Sequence, residues 1–531
     1  MVEQVSGRRG ACPSLAAAAR RQSAVILLIL AAGIGIAYSR LAAAQSERQT
    51  APPNIVIIYA DDLGYGDVSS YNPDRGKIPT PNMDRLAREG VRFTDAHSSS
   101  GVCSPSRYTL LTGRYHWRTR LQSGIVGVFG EPLIAPGRMT IGHLAKQRGY
   151  RTACFGKWHL GWDWPIPPEK MRFFRLAGDQ AGKPQTSAEQ VAAWREVFSR
   201  PIPGGPTTRG FDEYFGTDVP NWPPFCFIDN DRTVGIPQEL LPSRYLDARP
   251  LMASVPGPAV EGWRFEAILP AVTQHACEFI RRCTGQGRSF LLYLPLTSPH
   301  EPLAVNSEWR GKSGLHVYAD FVMETDHAVG EVLKTLDDAG VSDSTLVIFT
   351  SDNGKAAYTG AEELERRGHY SSGPFRGYKA SAYEGGHRVP FIVRWPGKVA
   401  AGGVCRQLVH QADVFATLAD VLEITPPENT GEDSFSLLPL LRGRDRPVRT
   451  HAVSCSSAGV PAIRDGNWKL ILAKTPELFD LLEDPGETTN LADQHPERVT
   501  AMQALLEKLI VEGRSTPGPA QKNDVTVRRY P

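Results

Sequence analysis

Four short strand-like runs constrain this chain more than any other feature: Asn54–Ala60, Arg151–Phe155, Phe290–Leu296 and Thr345–Thr350. Asn54–Ala60 is a continuous β-branched run and the others are short and mainly apolar, the mark of strands buried on both faces, and such strands make sheets covered by helices. Each run ends in residues that carry chemistry. Asp61-Asp62-Leu63-Gly64 follows the first, Gly156-Lys157-Trp158-His159 the second, Ser298-Pro299-His300-Glu301-Pro302 the third and Ser351-Asp352-Asn353-Gly354 the fourth. Singly, each has an ordinary reading. Asp-Gly and Asp-Asn-Gly segments are turns, and a Lys–His pair is a surface accident. Together they point one way, because ligands of open α/β sheets bind outside the carboxyl ends of the strands.

Helical patterns fill the intervals. Thr80-Pro81 to Glu89 and Thr140 to Arg148 each start at a capping Thr and stop at Gly, and longer helices are expected from about Glu266 to Arg282 and from Val317 to Asp338. Adjacent carboxylates such as Asp61 and Asp62 repel unless a cation sits between them. With Asp352 and Asn353 they form an oxygen-only set, which suits Ca²⁺ or Mg²⁺ rather than zinc. Lys157 and His159, two apart, share one face if the backbone is extended. With Arg107, His300 and Lys379 they make a cationic pocket containing two titratable histidines. A hard cation with a cationic rim describes an enzyme for sulfate or phosphate esters.

Cys103-Ser104-Pro105-Ser106-Arg107 reads as a loop-to-helix junction, with Ser104 expected as N-cap and Pro105 in the first turn. A group there meets unpaired N–H groups and the positive end of the helix dipole. A lone Cys is more often a small buried hydrophobe.

The string Cys103–Arg107, with Leu111-Thr112-Gly113-Arg114 behind it, resembles the signature of the type I sulfatases of the alkaline phosphatase superfamily. The resemblance extends to Asp61-Asp62-x-Gly, Gly156–Gly161, Pro299-His300-x-Pro302, Ser351–Gly354, Arg376-Gly377-Tyr378-Lys379 with Tyr383–Gly386, and Glu477–Leu481 with Asp484–Glu487. It implies an α/β fold, a large mixed sheet sandwiched by helices (alkaline phosphatase-like) with a smaller C-terminal α+β domain. It also implies that a formylglycine-generating enzyme converts Cys103 to Cα-formylglycine (3-oxoalanine). One Ca²⁺, in preference to Mg²⁺, is then expected on Asp61, Asp62, Asp352, Asn353 and the oxidised Cys103. One hydroxyl of the hydrated aldehyde would attack sulfur with Asp352 as proton partner, while Arg107, Lys157 and Lys379 stabilise the sulfuryl oxygens. His300 would protonate the leaving alcohol, and His159 would take the proton of the second hydroxyl and expel sulfate. The implied reaction is hydrolysis of a sulfuric ester, on a sulfated carbohydrate or an aryl sulfate. The rivals are a phosphate or phosphonate ester hydrolase of the same superfamily and a non-catalytic sulfoglycan-binding protein. In one place the sequence departs from the family: after Phe211–Gly216, where relatives carry a Ser or His, this chain has Thr217-Asp218-Val219-Pro220-Asn221-Trp222, with Asn221 a neutral substitute.

The chain has 531 residues and a net charge of +2, so charge balance makes no case for nucleic acid. Residues 1–44 read as a signal peptide: Arg8, Arg9, Arg20 and Arg21, an apolar run and Leu41-Ala42-Ala43-Ala44. That run is about 15 residues, short of the ~20 that span a bilayer. Export to the periplasm or medium is expected, with a retained N-terminal anchor as the alternative. A catalytic domain is expected over 54–424 and a C-terminal subdomain over 449–513, with strands at His451–Ser454, Ala462–Ala473 and Leu478–Leu481 and a helix at Pro496–Val511. The tail, 515–531, is poor in apolar residues and is expected to be disordered. From Asp163 to about Gly262 little periodicity is visible. Trp162, Trp164, Trp222, Phe225 and Phe227 are candidates for a wall against a sugar or aryl ring, though loop packing is the simpler account. The eight Cys show neither a disulfide framework nor a zinc pattern.

Overall fold

The computed structural model describes Met1, Val2, Gln4 and Gly7 and then residues 52–174, 186–241 and 255–529. The leader therefore lies almost wholly outside the described residues. The described residues from Pro53 onward form one compact unit.

Its centre is a ten-stranded sheet among the described residues. From one edge the order is Gly403–Cys405, Val91–Phe93, Phe391–Arg394, Thr345–Ser351, Asn54–Ala60, Phe290–Pro295, Arg151–Lys157, Glu213–Thr217, Ile228–Asp229 and Arg232–Thr233. The five strands from Thr345–Ser351 to Glu213–Thr217 run parallel, and the pairs flanking that group are antiparallel. All four strands expected from sequence are in the parallel set, so their carboxyl ends meet at one edge.

Period-two alternation divides the Asn54–Ala60 strand between two cores. Val56, Ile58 and Ala60 join one face with the helices Pro81–Glu89, Ile268–Gly285 and Val317–Asp338. Ile55, Ile57 and Tyr59 join the other with Cys103–Thr112, Ile141–Gln147 and Asp413–Val421. Asp326 links two helices of the first layer, accepting from the N–H groups of Asn82 (3.1 Å) and Met83 (2.8 Å) at the start of Pro81–Glu89.

A four-stranded antiparallel sheet, His451–Cys455, Pro461–Asp465, Trp468–Ile471 and Glu477–Asp480, follows with the helix Pro496–Glu512. Their shared core takes in Tyr115 and Trp117 from the first half of the chain.

Three expectations need correcting. The single strand Ala462–Ala473 is a hairpin that turns at Gly466 (φ 57°), an Asp-Gly turn signal inside an otherwise strand-like run. The aperiodic region contains the helix Ala188–Phe198, whose cap Ser187 accepts from the Gln190 N–H (3.1 Å), and the strand Glu213–Thr217. The described part of the tail is held by polar contacts and by Val527, which is buried in the C-terminal core. Arg114 forks onto Asp524 (3.0 and 3.0 Å), Arg118 donates to Asn523 (3.0 Å), and the Ser515 hydroxyl donates to Asp433 (2.6 Å). Among the described residues no helix is long and apolar enough to cross a membrane, and the seven described cysteines are free.

Gly156 makes the close approach of strands at the functional edge possible. Its φ is 132°, and a Cβ there would lie 1.9 Å from the Pro295 carbonyl oxygen. Gly156→Ala is expected to cost about 3 kcal/mol or more in stability and to lower activity by displacing Lys157; thermal melts and turnover assays check both.

Candidate active site

At the carboxyl edge of the sheet Asp61, Asp62, Asp352 and Asn353 converge, all essentially inaccessible to solvent. Such a concentration of buried carboxylates requires cations. Lys157, the last residue of its strand, puts Nζ 2.7 Å from Asp61 Oδ2. Lys379 Nζ is 2.7 Å from Asp62 Oδ2. Arg107 Nη2 lies 2.8 Å from Asp352 Oδ2 and 3.3 Å from Asp61 Oδ1. Backbone and amide donors complete the cluster: Asp62 N–H to Asp352 Oδ1 (3.1 Å) and Asn353 Nδ2 to Asp62 Oδ1 (2.7 Å).

Cys103 is the first residue of its helix, with Val102 as N-cap. The expected Ser104 cap is not made; its Oγ instead accepts from the Val126 N–H (3.1 Å), tying the helix start to the loop that faces His159. Cys103 Sγ sits 3.7 Å from Asp61 Oδ1. Burial pushes the thiol up to about 12 despite Lys157 and Lys379 nearby, so little thiolate is present at neutral pH.

Both histidines are oriented by their backbone partners. His300 Nδ1 donates to the Glu301 carbonyl (2.5 Å), leaving Nε2 facing inward, 3.8 Å from Asp62 Oδ2. His159 Nε2 donates to the Val126 carbonyl (3.1 Å), and its Nδ1 is buried with no hydrogen-bond partner among the described residues. Burial lowers both imidazoles, His300 to about 4 with Lys379 adding to the effect, and His159 well below its usual range with Lys157 and Arg107 adding. Lys157 and His159 do not share an extended face. The chain turns at His159 (φ 52°), where its N–H is bonded to Asp218, yet both side chains still reach the cluster's surroundings.

Burial would raise the Asp61 carboxyl, but Lys157, His300, Arg107 and Lys379 hold it well below the usual carboxylate range. Asp352 is pushed upward by burial and by the negative charge of Asp61. Ligand atoms of Asp61, Asp62, Cys103 and His300 lie within 4.8 Å of one another. Asp352 is turned partly toward Arg107, so His300 stands nearer the centre than an oxygen-only reading places it. The set still fits a hard cation: the Asn353 Oδ1 is buried without a hydrogen-bond partner among the described residues, beside three carboxylates. A second buried cluster, His97, Glu384 and His387, already contains a cation. Lys469 Nζ lies 3.0 Å from Glu384 Oε1 and 3.2 Å from His387 Nε2, joining the C-terminal sheet to the segment after Lys379.

Of the aromatic candidates, Trp222 alone stands against a site residue, its ring 5.4 Å from that of His159. Trp162 packs on Tyr214 and Trp164, Phe225 on Phe265, and Phe227 on Phe215 and Trp263. Two residues not foreseen are Tyr358, 53% exposed, and Glu301, to which its hydroxyl donates (3.0 Å). Glu301 was signalled only by its position next to His300; an exposed Tyr in an irregular turn has no sequence signature.

The family described as Sulfatase matches residues 53–424, and the one described as N-sulphoglucosamine sulphohydrolase, C-terminal, matches residues 377–515. The chain is 34% identical over 489 residues to an N-acetylgalactosamine-6-O-sulfatase of Bacteroides thetaiotaomicron, covering 86% of this chain and 93% of the relative. It is 31% identical over 532 residues to arylsulfatase A of Homo sapiens, covering 93% of each. A solved structure from work on glycosaminoglycan metabolism by Bacteroides thetaiotaomicron superposes with a TM-score of 0.74 at 32% identity, covering 86% of this chain and 99% of that one. The chain belongs to the sulfatase family and is a sulfuric ester hydrolase with an alkaline phosphatase-like fold.

Proposed function

We propose that this protein removes a sulfate ester from a carbohydrate, using formylglycine made from Cys103 and a bound Ca²⁺. The observation that carries the reading is the convergence, at one sheet edge, of Cys103 with three carboxylates, a carboxamide and three cations. The match of Cys103–Arg107 to the family signature supports modification of residue 103. Converted to formylglycine by a modifying enzyme, residue 103 supplies a geminal diol, one hydroxyl to attack sulfur and a second whose deprotonation expels sulfate. Asp61, Asp62, Asp352 and Asn353 would hold the Ca²⁺, which supplies positive charge beside the sulfuryl oxygens.

The chain's own groups divide the remaining work. Arg107, Lys157 and Lys379, fixed by their carboxylate partners, give preorganised positive charge to the sulfuryl group. Asp352, with its raised carboxyl, accepts the proton of the attacking hydroxyl. His300 presents Nε2 to the leaving oxygen because Nδ1 is committed to the Glu301 carbonyl. His159 presents an unpartnered Nδ1 lone pair because Nε2 is committed to Val126. The named relatives act on N-acetylgalactosamine 6-sulfate and aryl sulfates by their names, which supports a sulfated sugar as substrate here. The basic, apolar and Ala-x-Ala order of the leader supports export.

Mass spectrometry of active protein tests the nucleophile. The peptide spanning Cys103 is expected to be about 18 Da lighter than its thiol form, a change distinct from ordinary thiol oxidation; an intact thiol in fully active protein would exclude the mechanism. Asn353→Ala and Asp62→Ala are each expected to reduce bound calcium and turnover together, measured by elemental analysis beside kinetics.

His300→Ala separates leaving groups. An alkyl or sugar sulfate needs its departing oxygen protonated, so turnover should fall about 10²–10⁴-fold. An aryl sulfate with an acidic phenol should fall far less. Burial and Lys379 hold the free imidazole near 4, and the negative charge of a bound ester raises it. An acid loses activity as pH rises through its pKa, so the alkaline limb of kcat reports His300 and should flatten in the variant.

A further inference from the structure

The loop that delivers His300 also delivers a carboxylate for which the reaction has no use. Glu301 is 7% exposed. Its Oε1 accepts from the Tyr358 hydroxyl (3.0 Å) and lies 3.4 Å from Asn221 Nδ2, so its bonded partners are neutral. Its Oε2 is buried with no hydrogen-bond partner among the described residues. A buried carboxylate oxygen without a donor is costly, and a ligand that brings a donor recovers that cost.

The surroundings are built rather than incidental. Tyr358 sits in the short turn Ala357–Thr359, and Lys355 pins that turn from beneath, its Nζ donating to the carbonyls of Ala356 (3.2 Å) and Thr359 (3.0 Å) and to the Thr359 hydroxyl (2.6 Å). The Tyr358 ring nevertheless remains half exposed at the rim. On the other side Asn221 is followed by Trp222, whose ring meets that of His159. Glu301 is thus linked by sequence to His300 and through Asn221-Trp222 to His159, the two histidines assigned to opposite ends of the reaction.

We propose that Glu301, braced by Tyr358 and Asn221, reads the substrate beside the scissile ester. It accepts a hydrogen bond from the ring hydroxyl nearest the sulfate ester, and it excludes rings that carry a second sulfate there. The cations that act on Glu301, Lys379 and Lys157, are committed to Asp62, to Asp61 and to the sulfuryl group being cleaved, and neither Tyr358 nor Asn221 offers a charge to offset a second anion. A hydroxyl satisfies Oε2; a sulfate at the same position meets a like charge and leaves Oε2 without a donor. This rests on the sulfate-ester reading above and narrows its substrate to sugars singly sulfated around the cleaved bond.

Wild-type turnover of an aryl sulfate tests the hydrolase reading by itself. The proposal is tested by selectivity, as kcat/KM for a monosulfated sugar divided by kcat/KM for its neighbouring disulfate. N-acetylgalactosamine 6-sulfate and 4,6-disulfate serve first, then the galactose and N-acetylglucosamine analogues. Wild type is expected to prefer the monosulfate, and Glu301→Gln is expected to lower that preference about tenfold or more. An unchanged ratio in Glu301→Gln would overturn the proposal. So would a wild-type preference for the disulfate, or hydrolysis of aryl sulfate with no turnover of any sugar monosulfate. If Glu301→Gln is inactive, calorimetric binding of the same two sugars reads the same ratio: loss of the preference supports the proposal, and a wild-type ratio overturns it.

Discussion

Three buried carboxylates can stand at one sheet edge because three cations, two of them fully buried, reach them, and most of the local architecture follows from that balance. Asp61, Asp62 and Asp352 are matched by Lys157, Lys379 and Arg107, each at 2.7 or 2.8 Å from a carboxylate oxygen. Removing either side would strand charge in a medium that cannot solvate it. The formal balance is even, so a bound divalent cation would make the pocket positive overall and would attract an anionic ester. The groups that stabilise the fold at this edge are the same groups that would meet the sulfuryl oxygens.

The sheet enforces the meeting. Five parallel strands must end side by side, and crossover helices on both faces leave that end open while burying everything behind it. The helix beginning at Cys103 is drawn in through Arg107, one turn along, and through Ser104, whose hydroxyl holds the Val126 loop against His159. The histidines take their tautomers from main-chain carbonyls, which do not titrate. Those tautomers therefore do not depend on the protonation of neighbouring side chains.

What was legible in the sequence was what depends on local pattern. The strand Asn54–Ala60 and the helix Val317–Asp338 were readable to the residue, because a β-branched run and a long amphipathic period leave few alternatives. The clustering of Asp61, Asp62, Lys157, His300, Asp352 and Asn353 was readable because each ends or follows a buried strand. The errors share a different cause. Ser104 looks like a cap, but its hydroxyl is used by residue 126. The Gly466 turn was hidden because both arms of the hairpin are strand-like. Tyr358 and Glu301 meet across 57 positions of sequence, a contact that no periodicity can announce. In the tail, low apolar content was read as disorder, whereas the binding groups include guanidiniums supplied from the first quarter of the chain.

That tail changes what it means for this protein to be complete. Arg114 lies just beyond the helix that Cys103 begins, and Asp524 is 410 positions later. A chain stopped between residues 515 and 522 would contain every residue of the site. It would still lack one of the two acidic partners of Arg114 and the Asn523 contact of Arg118, both fully buried guanidiniums. A stop codon at that point would be felt some 400 residues earlier, where Arg114 also donates to Tyr108 of the helix that begins at Cys103.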